Sequence, residues 1–340
     1  MSTKPLEGIR VLERSLGQPG RVAGMLLADL GADVVRVGRG GGPVPEELVW
    51  DRGKRRTTPA DDRELERLVR AADVVLDDGP SAVDGAELVA RCPGLVHVAL
   101  PAYGAFGRWR DLAPDPLLVT ALGGFATFHP SHAPGTPVAS AVPMVSSIHG
   151  ALGAVLAVAG ILGVRRGHGG RALEATGLHA SAACLASLVV QGIDAEDMVT
   201  PDGTLGSRPS FRTYRCADDR YLHLSTLTVE FFLPALTALD RMDVMVLPGV
   251  DGEFLNTMRP DIGRVVGAEL ERTFAERPRD EWLAVLTEAG VPCAPVLPRE
   301  EWLTSDIVAA TAPPVTVAHP VLGPVVLPGT PWAFSGEVPA

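Results

Sequence analysis

The feature that most constrains the fold is an apolar, glycine-containing stretch at residues 142–166, VPMVSSIHGALGAVLAVAGILGVRR. Ser146 and Ser147 are favourable N-cap residues, and the next charges are Arg165 and Arg166, which suit the negative end of a helix dipole. The stretch therefore predicts a buried helix that begins near residue 147. One side of it carries small residues, against which another backbone can pack closely: Gly150, Gly153, Ala157 and Gly160.

One residue interrupts this apolar pattern. His149 falls in the first turn of the predicted helix, where the positive end of the dipole disfavours a second positive charge. The imidazole should therefore stay neutral, and a neutral imidazole can act as a base. The alternative is a histidine that only forms a hydrogen bond within a packed core.

Composition narrows the class of protein. With 340 residues, one large domain or two unequal ones are expected. The net charge of −11 argues against nucleic acid as a main partner, because phosphate contacts need a basic surface. The four cysteines lie far apart and without the spacing of metal ligands, so we predict reduced thiols in the cytoplasm and no metal site.

Targeting to a membrane is not predicted. The N-terminal sequence MSTKPLEGIRV lacks the apolar core of a signal peptide. The apolar run at residues 151–164 is shorter than the roughly 20 residues that a membrane span needs. We therefore expect a soluble cytoplasmic protein without a membrane partner.

Up to residue 100 the chain alternates between short apolar runs and helical patterns, which is typical of an α/β fold with a parallel sheet. Strands are predicted at residues 9–12, 33–37, 73–76 and 95–100, and helices at 21–30, 61–72 and 85–91. The glycines at residues 38–42 follow a strand but do not form a GxGxxG motif that opens a helix. A dinucleotide-binding fingerprint is therefore rejected.

A second unit is predicted after a polar, turn-rich linker at residues 193–209. The runs at 211–215 and 221–225 alternate around a turn and predict a β-hairpin. Helices at 229–239, 263–275 and 280–289 and a strand at 293–297 follow. This mixture predicts a small α+β domain.

Several segments together resemble the class III CoA-transferase (CaiB/BaiF) family, and within it the α-methylacyl-CoA racemase branch. They are PLEGIRVLE at 5–13, AGMLLADLGADVVRV at 23–37, DRGKR at 51–55, GIL at 160–162, TYRCADDRY at 213–221 and PVL at 295–297. The resemblance implies a Rossmann-like large domain at residues 1–204, completed by 306–340, and a small domain at 205–305. It also implies a homodimer whose subunits interlock like linked rings.

The resemblance implies altered catalytic residues. Transferases of this family use an aspartate just before the glycine helix as nucleophile, and racemases pair an aspartate there with a histidine on the preceding segment. Ungapped alignment on residues 160–162 places the aspartate position on His149, whereas the transferase spacing from Pro143 places it on Ser146. The racemase histidine falls on Asp115. An exchanged Asp115/His149 pair is therefore implied.

Other positions of the family site differ as well. Asp115 precedes Pro116, a pattern equally typical of a helix N-cap with no catalytic role. A glutamate of the racemase site falls on Thr228, with Glu230 two residues on. The loss of that carboxylate implies an altered reaction or substrate.

The substrate carrier implied by the resemblance is CoA or another pantetheine thioester, present as part of the substrate and not as a bound cofactor. Arg36 and Arg39 match basic positions of the family, and a loop offers further phosphate partners in Lys54, Arg55 and Arg56. Four carboxylates would repel a nucleotide diphosphate if they faced it. We expect these to be solvated surface charges: Asp61, Asp62, Asp77 and Asp78.

The predicted function is removal and return of the proton α to a thioester carbonyl, with amides around Gly150 stabilising the enolate oxygen. Racemisation, epimerisation, double-bond shift and elimination are all possible outcomes. Acyl-CoA transfer is disfavoured because no carboxylate nucleophile stands at the family position, although Ser146 could substitute with His149 as its base. Two further alternatives are recruitment to another reaction in secondary metabolism and a non-catalytic homologue that binds a thioester or another metabolite.

Overall fold

The computed structural model describes residues 4–38, 45–79, 84–127, 136–140, 142–186, 206, 208–319 and 321–332. Contacts divide these residues into two compact units. Unit 1 takes the described residues within Met1–Ala126, Ala139–Ile193 and Asp306–Ala340, and unit 2 those within Thr127–Val138 and Asp194–Ser305.

The described part of unit 1 contains a six-stranded parallel sheet with the strand order β3-β2-β1-β4-β5-β6. The strands are β1 (Arg10–Arg14), β2 (Asp33–Val37), β3 (Arg55–Thr57), β4 (Val74–Asp77), β5 (Val96–Ala99) and β6 (Arg171–Glu174). Val11 pairs with Val34 on one side and with Val74 on the other. All three are buried, as expected of a sheet covered on both faces. The predicted α/β class and parallel sheet are confirmed.

Helices lie between these strands and after the last of them. They are α1 (Gln18–Asp29), α2 (Pro45–Trp50), α3 (Asp62–Ala71), α4 (Gly85–Arg91), α5 (Pro116–Leu122), α6 (Met144–Arg165) and α7 (Gly177–Leu185). Asp61 is the N-cap of α3, and its carboxylate accepts a hydrogen bond from the amide of Glu64. Its apolar face covers β1 through Val69 in a small core cluster with Leu12, Val75 and Leu88.

Helix α6 is the central helix of unit 1, and it begins a turn earlier than predicted. Pro143 is its N-cap residue and makes no side-chain cap bond. Ser147 therefore lies inside the first turn, where its hydroxyl donates to the carbonyl of Pro143 at 3.1 Å. The expectation that the two serines cap the helix is wrong, because the local capping preference does not outweigh the packing of the extra turn.

The small residues of α6 do form a closely packed side. A Cβ atom on Gly150 would lie 2.6 Å from the carbonyl oxygen of Pro19, and one on Gly153 would lie 2.8 Å from Leu100. These glycines let α6 approach α1 and the sheet without an intervening side chain. By length and composition α6 is also apolar enough to cross a membrane, but here its buried residues belong to the core of unit 1.

Unit 2 is built around an antiparallel sheet of three described strands, β7 (Phe211–Arg215), β8 (Tyr221–Ser225) and β9 (Cys293–Val296). Its helices are α8 (Val229–Ala238), α9 (Pro260–Phe274), α10 (Arg279–Glu288) and α11 (Arg299–Leu303). Aromatic residues dominate the core: Tyr214 stacks on Phe274, and Phe274 meets the edge of Trp282. The predicted hairpin has the bounds that the alternation indicated.

After unit 2 the chain returns to unit 1. It forms α12 (Asp306–Thr311) and then a hairpin of β10 (Val315–His319) and β11 (Gly323–Leu327). Arg52 donates to the carbonyl of Pro328 at 3.2 Å and to the carboxylate of Asp29. These bonds fasten the C-terminal segment to α1.

Candidate functional site

A cavity of about 70 Å³ lies at the carboxyl edge of the parallel sheet in unit 1. Its lining includes Gly17 after β1, Asp78 after β4, Leu100 after β5 and Gly177 after β6. Strand order reverses between β1 and β4, and ligands of open α/β sheets bind in the crevice at such a switch point. The cavity is therefore where this fold is expected to hold a ligand.

His149 lines this cavity from α6, although only 2 % of its surface is exposed. Its Nε2 lies 2.8 Å from the carbonyl oxygen of Ala175. Because a carbonyl only accepts, Nε2 carries the proton and donates. In the neutral ring, Nδ1 is then left with its lone pair and is the atom that can accept a proton.

Burial lowers the pKa of His149 below its ordinary value of 6.5. The hydrogen bond to Ala175 and the negative charge of Asp78 oppose this shift in part. The imidazole is therefore neutral, as predicted, but the predicted cause is wrong. His149 is the sixth residue of α6, beyond the first turn, so desolvation replaces the helix dipole as the main cause.

Asp115 lines the same cavity from the N-cap of α5. Its Oδ1 accepts hydrogen bonds from the amides of Leu117 at 2.8 Å and Leu118 at 3.0 Å. The capping role that the sequence offered as an alternative is thus present, and the exposed Asp115 is also a lining residue of the cavity. The structure brings Asp115 and His149 to one cavity from separate helices.

Asp78 is the cavity residue that sequence reasoning missed. Its carboxylate is 4 % exposed and accepts from the amides of Leu16, Gly17 and Gly20 at 2.6–3.1 Å. The carboxylate thus occupies the N-terminus of α1, where a phosphate would sit in a dinucleotide-binding fold. The absence of a side-chain cap at Gly17 is the sequence signal for it.

The expectation that Asp77 and Asp78 are solvated surface charges is wrong. Asp77 is buried between the guanidinium of Arg14 at 3.4 Å and Nε2 of His97 at 3.1 Å. Asp77 ends β4, and its burial is compensated by side chains of β1 and β5. Asp78 follows the strand, and its burial is compensated by backbone amides at the beginning of α1. The other two aspartates of that group, Asp61 and Asp62, are exposed as expected.

Asp78→Asn is expected to lower the free energy of unfolding by about 2–3 kcal/mol, because one acceptor oxygen becomes an NH₂ group that faces backbone donors. Urea denaturation measures the loss. Asp84→Asn is the matched control, since the exposed Asp84 caps α4 through the amide of Ala86 and asparagine caps equally well. Equal midpoints for the two variants would contradict this role of Asp78.

Gly150 cannot act as predicted. It is the seventh residue of α6, and only the first four amides of a helix lack a partner within it. The amide of Met144 donates to Val142 and that of Ser147 to Pro143. The remaining first-turn amides belong to Val145 and Ser146, which both line the cavity.

Ser146 lies on the same face of α6 as His149, three residues before it, and is buried. Gln18 of α1 also lines the cavity, and its side-chain amide donates to the hydroxyl of Ser147 at 3.0 Å. This bond joins the beginnings of α1 and α6. A neighbouring cavity of about 210 Å³ shares Asp78 and includes Arg110.

Two of the proposed phosphate contacts are buried inside unit 1. The side chain of Lys54 is fully buried, and its ammonium lies 2.5 Å from Glu13 and 2.7 Å from the carbonyl of Arg21. Arg36 pairs with Asp51 at 2.8 Å and is 4 % exposed. These cations compensate buried carboxylates, so the expectation that they meet phosphates is wrong.

The remaining three proposed phosphate contacts are Arg39, Arg55 and Arg56. Arg55 is exposed and pairs with Asp33 at 2.6 Å, and Arg56 pairs with Asp51. Neither lines the cavity of His149. Arg39 lies outside the described residues.

The two secondary candidates of the small domain lie in unit 2. Thr228 is the N-cap residue of α8, and Glu230 lies in its first turn. A hydrogen bond with Thr228 holds the pKa of Glu230 below its usual value. Within the described residues, no group of three or more His, Cys, Asp or Glu side chains is arranged to hold a metal ion.

The sequence is similar to that of a known protein family and to individual members of it. Residues 6–340 match the sequence profile of CoA-transferase family III. Human alpha-methylacyl-CoA racemase is 27% identical over 316 residues, which cover 88% of this chain and 80% of that protein. Mouse succinyl-CoA:glutarate CoA-transferase is 24% identical over 366 residues, which cover 98% and 81%.

Solved structures show the same fold. The crystal structure of a CaiB/BaiF family protein from Brucella suis has a TM-score of 0.80 at 22% identity, and the match covers 100% of this chain and 96% of that one. The curated relatives are named as a racemase and as CoA-transferases, so their names differ in the reaction.

Proposed function

Because the chain belongs to CoA-transferase family III, we propose that it acts on an acyl thioester by moving the proton α to the thioester carbonyl. The observation that carries the proposal is that His149 and Asp115, from separate helices, line one cavity. Such a pair of acid/base groups is what a proton transfer at one carbon needs.

In the proposed reaction Nδ1 of His149 removes the α-proton, and the electron pair of the broken C–H bond moves into an enolate. Asp115 is assigned the return of a proton to that carbon, and its carboxylate accepts one in the reverse direction. The enolate oxygen is assigned to the first-turn amides of Val145 and Ser146, which line the cavity at the N-terminus of α6. These amides replace Gly150 in that role.

Acyl transfer is the second candidate function, since the transferase relatives support it. Ser146 stands at the position of the transferase nucleophile but offers a hydroxyl in place of a carboxylate. With His149 as its base, it would form an acyl ester and release the thiol. If the thiol part of the thioester is labelled, the appearance of the label in free thiol without α-exchange would favour this reaction.

We also propose that CoA or another pantetheine thioester carries the acyl group and that two copies of the chain associate. Family members are named for CoA thioesters. Apolar side chains that are at least one-third exposed on α5 and α6 support association: Leu117, Leu118, Leu122, Val155, Val158 and Leu162.

Asp115→Asn separates catalysis from capping. Asparagine caps a helix as well as aspartate, so stability should change little, whereas inversion of configuration at the α-carbon of a chiral 2-methylacyl thioester should fall about 10²–10⁴-fold, because the second proton-transfer group is lost. Asp61→Asn, at the N-cap of α3, is the control for both measurements. If Asp115→Asn inverts the thioester at the rate of this control, Asp115 is only a cap.

A further inference from the structure

At the cavity, two helix N-termini that could bind an anionic group of the ligand are occupied by aspartates of the chain itself. Helix α1 begins at the cavity, and the amides of Gly17 and Gly20 at its N-terminus donate to the carboxylate of Asp78. A helix N-terminus is the usual binding site for an anion. The first amides of α5 are taken by Asp115 in the same way. The chain's own aspartates thus occupy two places where a carboxylate of the ligand could be bound.

Cations are also missing from the described part of the cavity lining, in which no residue is lysine or arginine. The basic residue of the adjoining cavity, Arg110, donates to Asp111 at 3.1 Å. A ligand carboxylate would therefore lose its water without gaining a charged partner, which is costly in a buried site.

The apolar side chains that line the cavity favour binding of a hydrocarbon chain. Leu100, Val119 and Val145 are each at most 5 % exposed and line the cavity together with three prolines. Such a surface binds an apolar chain by removing it from water. The polar groups that remain are those already assigned to the reaction and the amide of Gln18.

We propose that the site selects an acyl group that is an uncharged hydrocarbon chain and rejects acyl groups that bear a second carboxylate. This inference rests on the proposed function, because it takes the cavity to hold the acyl group. It separates this chain from its relatives named for succinate and glutarate, whose acyl groups are dicarboxylic.

The test uses two thioesters that differ by one group, 2-methylpentanoyl and 2-methylglutaryl N-acetylcysteamine, in which a methyl group is replaced by a carboxylate. Binding to the His149→Gln protein is measured by calorimetry, so the result does not depend on turnover. We expect at least 100-fold tighter binding of the pentanoyl thioester. Equal binding, tighter binding of the glutaryl thioester, or no binding of either overturns the inference.

Gln18→Arg places a cation at the cavity and should reduce this discrimination at least tenfold, whereas Gln18→Leu should not reduce it. α-Exchange by the wild-type protein is followed separately with both thioesters. Discrimination in binding without any exchange leaves the specificity standing and rejects the proton transfer. Exchange of both thioesters at similar rates supports the proton transfer and rejects the specificity.

Discussion

Replacing His149 by glutamine is expected to reduce α-proton exchange of an accepted thioester about 10²–10⁴-fold, the usual contribution of a positioned base. Glutamine can still donate to the carbonyl of Ala175, the partner of the histidine Nε2. Its side chain has no basic nitrogen to take the place of Nδ1. Folding should therefore be retained while the proton acceptor is lost.

The pH dependence of the α-proton exchange rate provides a second test of the role of His149. Since burial lowers the pKa of this imidazole below 6.5, the wild-type exchange rate should fall on acidification only below pH 6.5, where the ring becomes protonated. His149→Gln should lack this decrease. An acid limb centred above 6.5 would contradict the assignment of the base.

The lowered pKa of His149 also makes the stability of the folded protein depend on pH. The unfolded chain binds a proton at this histidine at higher pH than the folded one, so the wild-type protein loses stability as pH falls below 6.5. Above 6.5 the imidazole is neutral in both states and adds no pH dependence.

His223→Gln is the matched control for the exchange measurement, because burial lowers the pKa of His223 too and this residue does not line the cavity. If both variants exchange equally, His149 is not the base.

The second large effect is expected at Lys54. Lys54→Met should lower the free energy of unfolding by about 3–5 kcal/mol, because the fully buried carboxylate of Glu13 loses its ammonium partner at 2.5 Å. Glu13 keeps only the guanidinium of Arg36 at 3.5 Å. Denaturation in urea measures the effect.

Two further variants make this prediction specific to charge. Lys4→Met is the control, since Lys4 donates to the carbonyl of Asp29 at 3.3 Å without a buried carboxylate partner. Glu13→Gln combined with Lys54→Met should be less destabilised than the sum of the single variants, because the double change removes both buried charges. A loss below about 1 kcal/mol for Lys54→Met would show that the pair is not needed for folding.

Secondary structure in this chain was largely predictable from local pattern. The apolar runs of β1, β2, β4 and β5 alternate with helical patterns, and each run is long enough to be recognised by itself. Strand β3 was missed because Arg55-Arg56-Thr57 contains no apolar residue. It becomes a strand only by pairing with β2 at the edge of the sheet.

The site was predictable where a residue stood out against its segment. His149 interrupts an apolar helix and Asp115 precedes a proline, so both were found by sequence and both line the cavity. Asp78 was missed because an acidic pair after a strand is equally typical of a solvated loop. Its role depends on backbone amides about sixty residues earlier in the chain.

The sequence by itself determined the family, the parallel α/β architecture and two cavity side chains, because these follow from local periodicity and from single exceptional residues. Only the tertiary structure decided which charges are buried: Lys54 and Arg36 neutralise an interior network, while Asp78 and Asp115 cap helices at the cavity. The physical reason is that the environment of a charge depends on partners distant in the chain, which no local pattern contains.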